Sequence, residues 1–369
     1  MYDIAIIGLG PAGAVLARHL KSEFKVIAID RKLKNENRGG FSKPCGGLLA
    51  PEAQKAISRL NMTLPKDILV SPQIFSVRTI DLQSGLSRDY QRFYINLDRD
   101  RLDRWLISQI PSGVEIVSGA YCTEVVRDGD GFLLTLNTSS EENGGCREIR
   151  ARYVVGADGA GSVVRRSLFK EFKIRKYMSI QQHFADTHKA PFYSCIFDPS
   201  ITDSYAWGLT KDDSFIFGGA FNLKNARKDF ETLKEKLQAY GFKLEQPIKT
   251  EACLALRPSG FNNFCTGKDG AFLAGEAAGF ISPSSLEGIS YAINSGYILS
   301  ACFNKLPAPE KRGEHAGLNA EYHRKTAEMR FKLSLKTLKR PFMYNPPLRS
   351  VIMKTGVFSL EVIENSDKK

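Results

Sequence analysis

The sequence has no long apolar run and only seven cysteines. No stretch reaches the roughly 18 apolar residues that a transmembrane helix needs. The first residues, MYDIAIIG, read as a strand and do not resemble a signal peptide, so we expect a cytoplasmic protein. The cysteines are scattered and none has C-x-x-C spacing, which argues against a disulfide framework and against a zinc site. The five histidines likewise form no recognisable metal or triad pattern, so no metal is expected.

What the sequence does contain is an ordinary globular composition with an uneven charge. The 369 residues, 43% hydrophobic and 25% charged, are enough for about two domains. Of the net charge of +12, residues 320–354 contribute +7, from nine basic and two acidic side chains. Such a segment is either a solvated helix face or a surface for anionic membrane, nucleic acid or acidic substrates. No nucleic-acid-binding motif accompanies it, so we expect no nucleic acid partner.

The order of strand and helix patterns predicts an α/β (α+β) fold with a discontinuous first domain. Strand and helix patterns alternate at both ends of the chain, whereas residues 176–257 are dominated by short strands, typical of an antiparallel sheet. A short buried strand is predicted at 153–155. We predict a Rossmann-type domain from residues 1–70, 96–172 and 265–305, an inserted substrate domain from 71–95 and 173–264, and a basic helical C-terminal region from 306–369.

Residues 8–13 read GLGPAG, directly after a strand and at the start of a helix. Gly8 permits a tight turn, Gly10 lets the backbone approach a pyrophosphate, and Gly13 lets the helix pack on the strand. Asp30 ends the next strand, where it can accept ribose hydroxyls. This context predicts a dinucleotide site; the alternative is a glycine-rich turn without a ligand.

Two further glycine motifs follow strands later in the chain. Residues 154–165 read VVGADGAGSVVR, and residues 271–293 read AFLAGEAAGFISPSSLEGISYAI. The second of these passes from a strand through a glycine turn into a helix, as residues 2–20 do. We therefore expect the two ends of the chain to meet on one cofactor, and we predict FAD rather than NAD.

With these three motifs in order, the sequence resembles the FAD-dependent geranylgeranyl reductase and aromatic hydroxylase superfamily over residues 1–300. The motifs match GADG-x-x-S-x-x-R and GD-A-A-G-x-x-x-P-x-x-x-x-G-I, and residues 98–103 match D-R-x-x-L-D. One departure is Glu276, where the family has an aspartate that bonds a ribityl hydroxyl. The resemblance implies that FAD is held by Gly8, Gly10, Pro11, Ala12, Gly13, Asp30, Arg31, Pro44, Gly46, Gly47, Arg99, Asp158, Gly159, Gly275, Glu276, Pro283, Gly288 and Ile289.

Two segments resemble the reductase branch, and in particular its CbrA-like bacterial group. Residues 42–51, SKPCGGLLAP, resemble the P-C-G-G loop that lies over the flavin ring; Cys45 there is either a weak proton donor or a packing residue. Residues 205–211, YAWGLTK, resemble Y-x-W-x-F-P-K, with Leu-Thr in place of Phe-Pro. Tyr205 and Trp207 alternate and so point to one face, either a cavity wall or a core. We take Cys45, Tyr205 and Trp207 as the catalytic candidates.

The resemblance implies an FAD-dependent oxidoreductase that reduces a carbon–carbon double bond of an apolar, isoprenoid or lipid-like substrate. An FAD-dependent monooxygenase and a non-catalytic flavin-binding regulatory protein remain alternatives. With a single dinucleotide motif, NAD(P)H or another electron donor would bind transiently. A lipid substrate would agree with docking of residues 320–354 on an anionic membrane, which would make the protein peripheral at the inner face. The oligomeric state stays open.

Overall fold

The computed structural model describes residues 1–32, 43–138, 145–185, 192–307 and 316–360. Its strands are β1 (Tyr2–Ile7), β2 (Val26–Asp30), β3 (Leu48–Leu49), β4 (Ile74–Asp81), β5 (Leu86–Asn96), β6 (Glu115–Ser118), β7 (Ala120–Asp128), β8 (Gly131–Thr138), β9 (Gly145–Gly156), β10 (Arg175–Ala185), β11 (Phe192–Phe197), β12 (Ala206–Lys211), β13 (Ser214–Asn222), β14 (Lys249–Arg257), β15 (Gly267–Lys268), β16 (Ala271–Leu273) and β17 (Ser359–Leu360). Its helices are α1 (Pro11–His19), α2 (Pro51–Arg59), α3 (Arg99–Ser108), α4 (Val163–Leu168), α5 (Ala226–Gln238), α6 (Ile289–Phe303), α7 (Ala316–Lys325), α8 (Ala327–Thr337), α9 (Arg340–Tyr344) and α10 (Pro346–Thr355).

The first sheet has the order β15-β16-β9-β1-β2-β6, and the strands from β16 to β6 are parallel. Every residue of β2 is buried, as expected for parallel strands covered on both faces. Helices α1 and α6 pack against each other beside this sheet. The predicted Rossmann-type fold is confirmed, and it brings the carboxyl ends of β1, β2, β9 and β16 to one edge.

Strand β9 is much longer than the predicted 153–155 because it pairs with different strands along its length. Its first half pairs antiparallel with β8, and its second half pairs parallel with β1 and β16. The first half alternates exposed charged residues, such as Arg147 and Arg150, with buried Ile149 and Ala151. That half-exposed pattern differs from the continuous apolar run of a central parallel strand, so sequence inspection found only the buried end.

The second sheet has the order β14-β10-β13-β12-β11-β4-β5-β17. Its pairs are antiparallel, as predicted, except for β11 and β4, which are parallel. The reason is connectivity: β4 comes from residues 74–81, and no hairpin turn joins it to β11, so the direction of pairing is free. The helix α5 covers the far face of the sheet with Phe230, Leu233 and Leu237. Strand β14 was not predicted.

The C-terminal region is helical, as predicted, but it is not a separate appendage. Tyr322 and Leu333 enter the core of the first sheet, and β17 adds to the second sheet beside β5. The predicted limits of the three regions stay a prediction. Of the five histidines, His188 and His315 lie outside the described residues. Among the helices described, none has the length and apolarity to cross a bilayer.

Candidate functional site

One cavity of about 1320 Å³ lies where the carboxyl ends of the parallel strands meet the second sheet. It is bordered by residues from all three glycine motifs, the 43–48 loop, the aromatic strand β12 and the C-terminal helices. Every predicted site residue borders it except Gly13 and Pro283. Pro283 instead accepts a hydrogen bond at its carbonyl from Arg257 Nε at 2.9 Å. The roles assigned to individual residues stay predictions. The structure shows that these residues, apart from Gly13 and Pro283, border one cavity.

The first motif forms a glycine cradle. Gly8 has φ +92°, and a Cβ there would lie 2.7 Å from the carbonyl oxygen of Ala157. A Cβ at Gly13 would overlap the Gly8 carbonyl, so this glycine serves helix packing. A Cβ at Gly10 would meet nothing within 4 Å, because Gly10 faces the cavity. An open backbone at the start of α1 fits the pyrophosphate of a dinucleotide.

The three motifs contact one another directly. A Cβ at Gly275 would lie 3.0 Å from the Cβ of Ala12, which shows how closely the third motif approaches the first. Arg165 of the second motif donates through Nη1 to the carbonyl of Ala277 at 2.7 Å. The two ends of the chain therefore meet at one cavity, whereas their meeting on one cofactor stays a prediction.

The carboxylate of Asp158 is held by one oxygen only. Its Oδ2 accepts from the backbone N–H of Val163 at 2.6 Å, whereas its Oδ1 is buried and has no hydrogen-bond partner in the described part of the chain. Burial raises the pKa of Asp158, with hydrogen bonds from Ser162 and Val163 opposing the shift. Because Asp158 borders the cavity, the free acceptor fits a hydroxyl of a bound cofactor.

Asp30 fixes the glycine turn as well as bordering the cavity. Its Oδ2 accepts from the N–H of Leu9 at 2.5 Å, and its Oδ1 accepts from the N–H of Lys32 at 2.8 Å. Each carboxylate oxygen keeps a second acceptor position, so a ribose hydroxyl can still bind. Burial lowers the pKa of the neighbouring Arg31, against the attraction of Asp30 and Asp158.

Arg99 is held in a fixed orientation at the start of α3. Its Nε donates to Asp103 Oδ1 at 3.1 Å, and Lys32 Nζ lies 2.9 Å from Asp103 Oδ2. Burial opposes the charge of Arg99, but attraction to Asp103 and to the Cys45 thiol raises its pKa. The side chain is therefore a permanent cation at the cavity. Sequence reasoning missed the parts played by Asp103 and Lys32, although Asp103 closes the D-R-x-x-L-D motif.

Glu276, the departure from the family pattern, reaches the second sheet. Its Oε1 accepts from the N–H of Leu256 on β14 at 2.9 Å, and its Oε2 lies 2.5 Å from Lys43 Nζ. Burial opposes the charge of Lys43, yet the attraction of Glu276 raises its pKa. The longer side chain thus ties the third motif both to the second sheet and to the 43–48 loop. A bond to the ribityl chain stays a prediction.

The loop of Cys45 lies against the aromatic strand. Cys45 Sγ accepts weakly from the N–H of Gly47 at 3.4 Å, and a Cβ at Gly46 would lie 3.8 Å from the Trp207 ring. Lys211 ties the loop to the second sheet, because its Nζ donates to Asn96 Oδ1 on β5 at 2.9 Å and to the Gly47 carbonyl at 3.4 Å. Burial lowers the pKa of Lys211 to about 8. Lys211 ends the YAWGLTK motif, but its anchoring role had no sequence signal.

Tyr205 and Trp207 both border the cavity, with ring centroids 5.8 Å apart. Tyr205 donates its hydroxyl to the carbonyl of Ser285 at 2.7 Å. Trp207 Nε1 lies 3.4 Å from Gln181 Oε1, and a Cβ at Gly218 would be 2.7 Å from the indole. Gly218 therefore makes room for the ring from the neighbouring strand. Burial raises the pKa of Tyr205 well above its usual value, which keeps the hydroxyl neutral.

The C-terminal helices supply a wall that sequence reasoning did not find. Arg349, one of the nine basic residues of segment 320–354, is buried and pairs with Asp81 at 2.9 Å. Its guanidinium also lies 4.8 Å from the ring centroid of Phe197. Arg349 is accordingly not part of a basic surface. The cavity residues contributed by this region are Lys336, Lys339, Phe342, Met343, Arg349, Ile352 and Met353.

The described histidines do not border the cavity. His183 pairs with Glu251 at 3.1 Å and does not border the site. Across the described ranges, no group of three or more histidine, cysteine, aspartate or glutamate residues could hold a metal ion.

Comparison with known proteins gives the context of this geometry. A family model described as an FAD binding domain matches residues 55–224. Protein CbrA of Escherichia coli O1:K1 is 49% identical over 356 residues, which cover 96% of this chain and 94% of that protein.

Two solved structures share the fold. A geranylgeranyl bacteriochlorophyll reductase-like protein from Thermoplasma acidophilum superposes with a TM-score of 0.77 at 16% identity, covering 95% of this chain and 90% of that chain. The structure of pqsL, a probable FAD-dependent monooxygenase from Pseudomonas aeruginosa, gives 0.65 at 17% identity, covering 96% and 99%. Since their names imply different reactions, the fold alone does not select the reaction.

Proposed function

The chain belongs to the CbrA family, whose members are FAD-binding proteins, and we propose that it reduces a carbon–carbon double bond of an apolar, isoprenoid-like substrate. The premise of this proposal is that the chain is an FAD-dependent flavoprotein of the oxidoreductase or monooxygenase type. The observation that carries the proposal is the aromatic wall of Tyr205 and Trp207, which adjoins the Cys45 loop within the same cavity. A mostly apolar wall of this kind suits a hydrocarbon chain better than a polar substrate.

The residues at the motif end of the cavity would hold FAD. Gly10 and the start of α1 would receive the pyrophosphate, Asp30 the ribose, and Asp158 a further hydroxyl. Arg99, oriented by Asp103, would supply a fixed positive charge beside the cofactor. When bound, FAD in its reduced form supplies a hydride to one carbon of the double bond.

The opposite end of the cavity would bind the substrate and keep water out. Phe197, Tyr205 and Trp207 belong to one buried cluster, and the buried cation Arg349 is neutralised by Asp81. We assign the proton for the second carbon to the Cys45 thiol, which lies beside Arg99 in the loop whose Gly46 approaches the Trp207 ring. Tyr205 would position the chain, since its hydroxyl is already committed to Ser285. NAD(P)H or another donor would bind only transiently.

The test is a single-turnover reaction. The FAD-loaded protein is reduced under argon and mixed with a geranylgeranyl lipid, and flavin absorbance and product mass are followed. We expect flavin reoxidation together with a product that has gained two hydrogen atoms. Gain of an oxygen atom in aerated buffer would instead assign a monooxygenase. Failure of every prenyl or aromatic probe to reoxidise the flavin would assign a binding protein without turnover.

Two variants locate the chemistry. Cys45→Ala should lower the rate of flavin reoxidation on the order of 100-fold, as for loss of a proton donor, while FAD affinity stays unchanged. Cys146→Ala, at an exposed cysteine that does not border the cavity, is the matched control and should react as the wild type does. An unchanged rate in Cys45→Ala would remove Cys45 from the reaction and leave it a packing residue.

A further inference from the structure

The outer face of α8, α9 and α10 is apolar. Along α8 and α9 its side chains recur at spacings of four, three and four residues, and on α10 they lie three and four residues after Leu348, so that each set shares one helix face. The side chains are 37–65% exposed, and they are Phe331, Leu335, Leu338, Phe342, Leu348, Val351 and Ile352. We call this set the C-terminal face. Buried Leu333, Arg349 and Met353 hold the opposite sides of the same helices against the protein.

Basic residues surround the C-terminal face. Lys332, Lys339 and Lys354 are exposed among its apolar side chains. Lys339 and Lys354 have no carboxylate within 4.0 Å in the described part of the chain, whereas Lys332 pairs with Glu328. An apolar patch with a basic rim is what helices lying in a membrane interface present.

The C-terminal face also contains the mouth of the cavity. Lys339, Phe342 and Ile352 are exposed at the surface and border the cavity at the same time. On the opposite rim, exposed Arg92 of β5 borders the cavity too, and its neighbour Phe93 is 59% exposed. If another apolar surface covered the C-terminal face, an apolar molecule could pass from it into the cavity and reach the aromatic wall without crossing water.

We propose that the C-terminal face rests on an anionic lipid bilayer, so that the substrate passes from the membrane directly into the cavity. The identity of the substrate as a lipid rests on the proposed function; the docking itself rests on the face and its charge. A second copy of this chain fits the face poorly, because the exposed Lys339 and Lys354 of both copies, unpaired among the described residues, would be brought together. Anionic headgroups complement that charge.

The test is co-sedimentation of the full, FAD-loaded chain with vesicles. Vesicles containing phosphatidylglycerol should bind the protein at low salt, and vesicles of phosphatidylcholine alone should bind it weakly. Lys332→Ala with Lys354→Ala should weaken binding by about fivefold for each lysine. Leu338→Ser with Val351→Ser should also weaken it. Equal binding to both lipid compositions, or none to phosphatidylglycerol at low salt, would overturn the proposal.

Matched controls place the same changes elsewhere. Two control variants alter exposed residues near α5, on the far side of the second sheet. The double variant Lys224→Ala with Lys228→Ala matches the lysine changes, and Leu223→Ser matches the apolar changes; both should leave vesicle binding unchanged. FAD content and melting temperature verify that each variant folds.

Sedimentation velocity without lipid should give a monomer. A dimer that is dissociated by the double variant Leu338→Ser with Val351→Ser would instead assign the C-terminal face to a second copy of the chain. Since no turnover is measured, failure of docking is distinct from failure of the proposed reaction.

Discussion

At the scale of single residues, Gly10 and Gly13 have different tasks although both belong to GLGPAG. The backbone of Gly10 has φ −67° and ψ −175°, which an alanine adopts without strain, and the space beside it is open. The position of Gly13 leaves no room for a Cβ. The space beside Gly10 is therefore left open to the cavity, whereas Gly13 is required by packing.

We predict opposite consequences for the two alanine variants. Gly10→Ala should change the free energy of unfolding of the apoprotein by less than about 0.5 kcal/mol, but should raise the Kd for FAD about tenfold or more, because the methyl group meets the pyrophosphate. Gly13→Ala should lower the free energy of unfolding by about 2 kcal/mol or more. Urea denaturation and flavin titration measure both, with Gly113→Ala as a control in open space. Unchanged FAD affinity in Gly10→Ala would contradict the assigned role.

The Lys43–Glu276 pair links two segments that no sequence motif connects. Glu276 is almost fully buried, so its charge depends on Lys43 and on the N–H of Leu256. We predict a coupling energy of about 1–3 kcal/mol in a double-mutant cycle of Lys43→Met and Glu276→Gln, measured by chemical denaturation. The exposed pair Arg150–Asp128 should give less than about 0.5 kcal/mol in the same experiment. Equal coupling in both pairs would mean that Lys43 is a solvated surface lysine.

At the scale of secondary-structure elements, α10 shows why a charge count misleads. The basic segment 320–354 reads as one surface in the sequence, yet Arg349 turns inward to Asp81 on β4. Along a helix the residues four apart share a face, so Arg349 and Met353 are both buried, whereas Val351, two positions from each, is exposed. The segment is both a wall of the cavity and an outer surface.

We predict that Arg349→Met releases α10 from the second sheet. Removal of one partner of a buried ion pair leaves Asp81 uncompensated, at a cost of about 3–5 kcal/mol. Hydrogen exchange of the amides of residues 348–355 should accelerate strongly, while the amides of α6 keep their protection. Lys354→Ala, on the exposed side of α10, is the control and should leave exchange unchanged. Restored protection in Arg349→Met with Asp81→Asn would confirm the cause; uniform protection in all variants would contradict it.

At the scale of the whole molecule, the cavity joins the two sheets. Gly10 and Asp158 come from the first sheet, whereas Trp207 and Cys253 come from the second. Ligand bound only by the folded form stabilises that form by mass action. A cofactor in this cavity should therefore stabilise both halves of the molecule together.

We predict that FAD at 100 times its Kd raises the free energy of unfolding by about 2.7 kcal/mol for both sheets. The two tryptophans report them separately: Trp105 lies on α3, and Trp207 lies on β12. In Trp207→Phe the remaining fluorescence comes from Trp105 and follows unfolding beside the first sheet. In Trp105→Phe it comes from Trp207 and follows unfolding of the second sheet. A shift of the Trp105 transition alone would show that FAD does not couple the second sheet.

The sequence by itself determined the Rossmann-type fold, the meeting of its three glycine motifs and the family. Those properties depend on local backbone demands, such as the turn at Gly8, which must be written into consecutive residues. Tertiary structure alone decided the reach of Glu276 to Lys43, the anchoring by Lys211 and the inward turn of Arg349. Each of these contacts joins residues far apart in the chain, and no local pattern encodes which distant group a charged side chain will find.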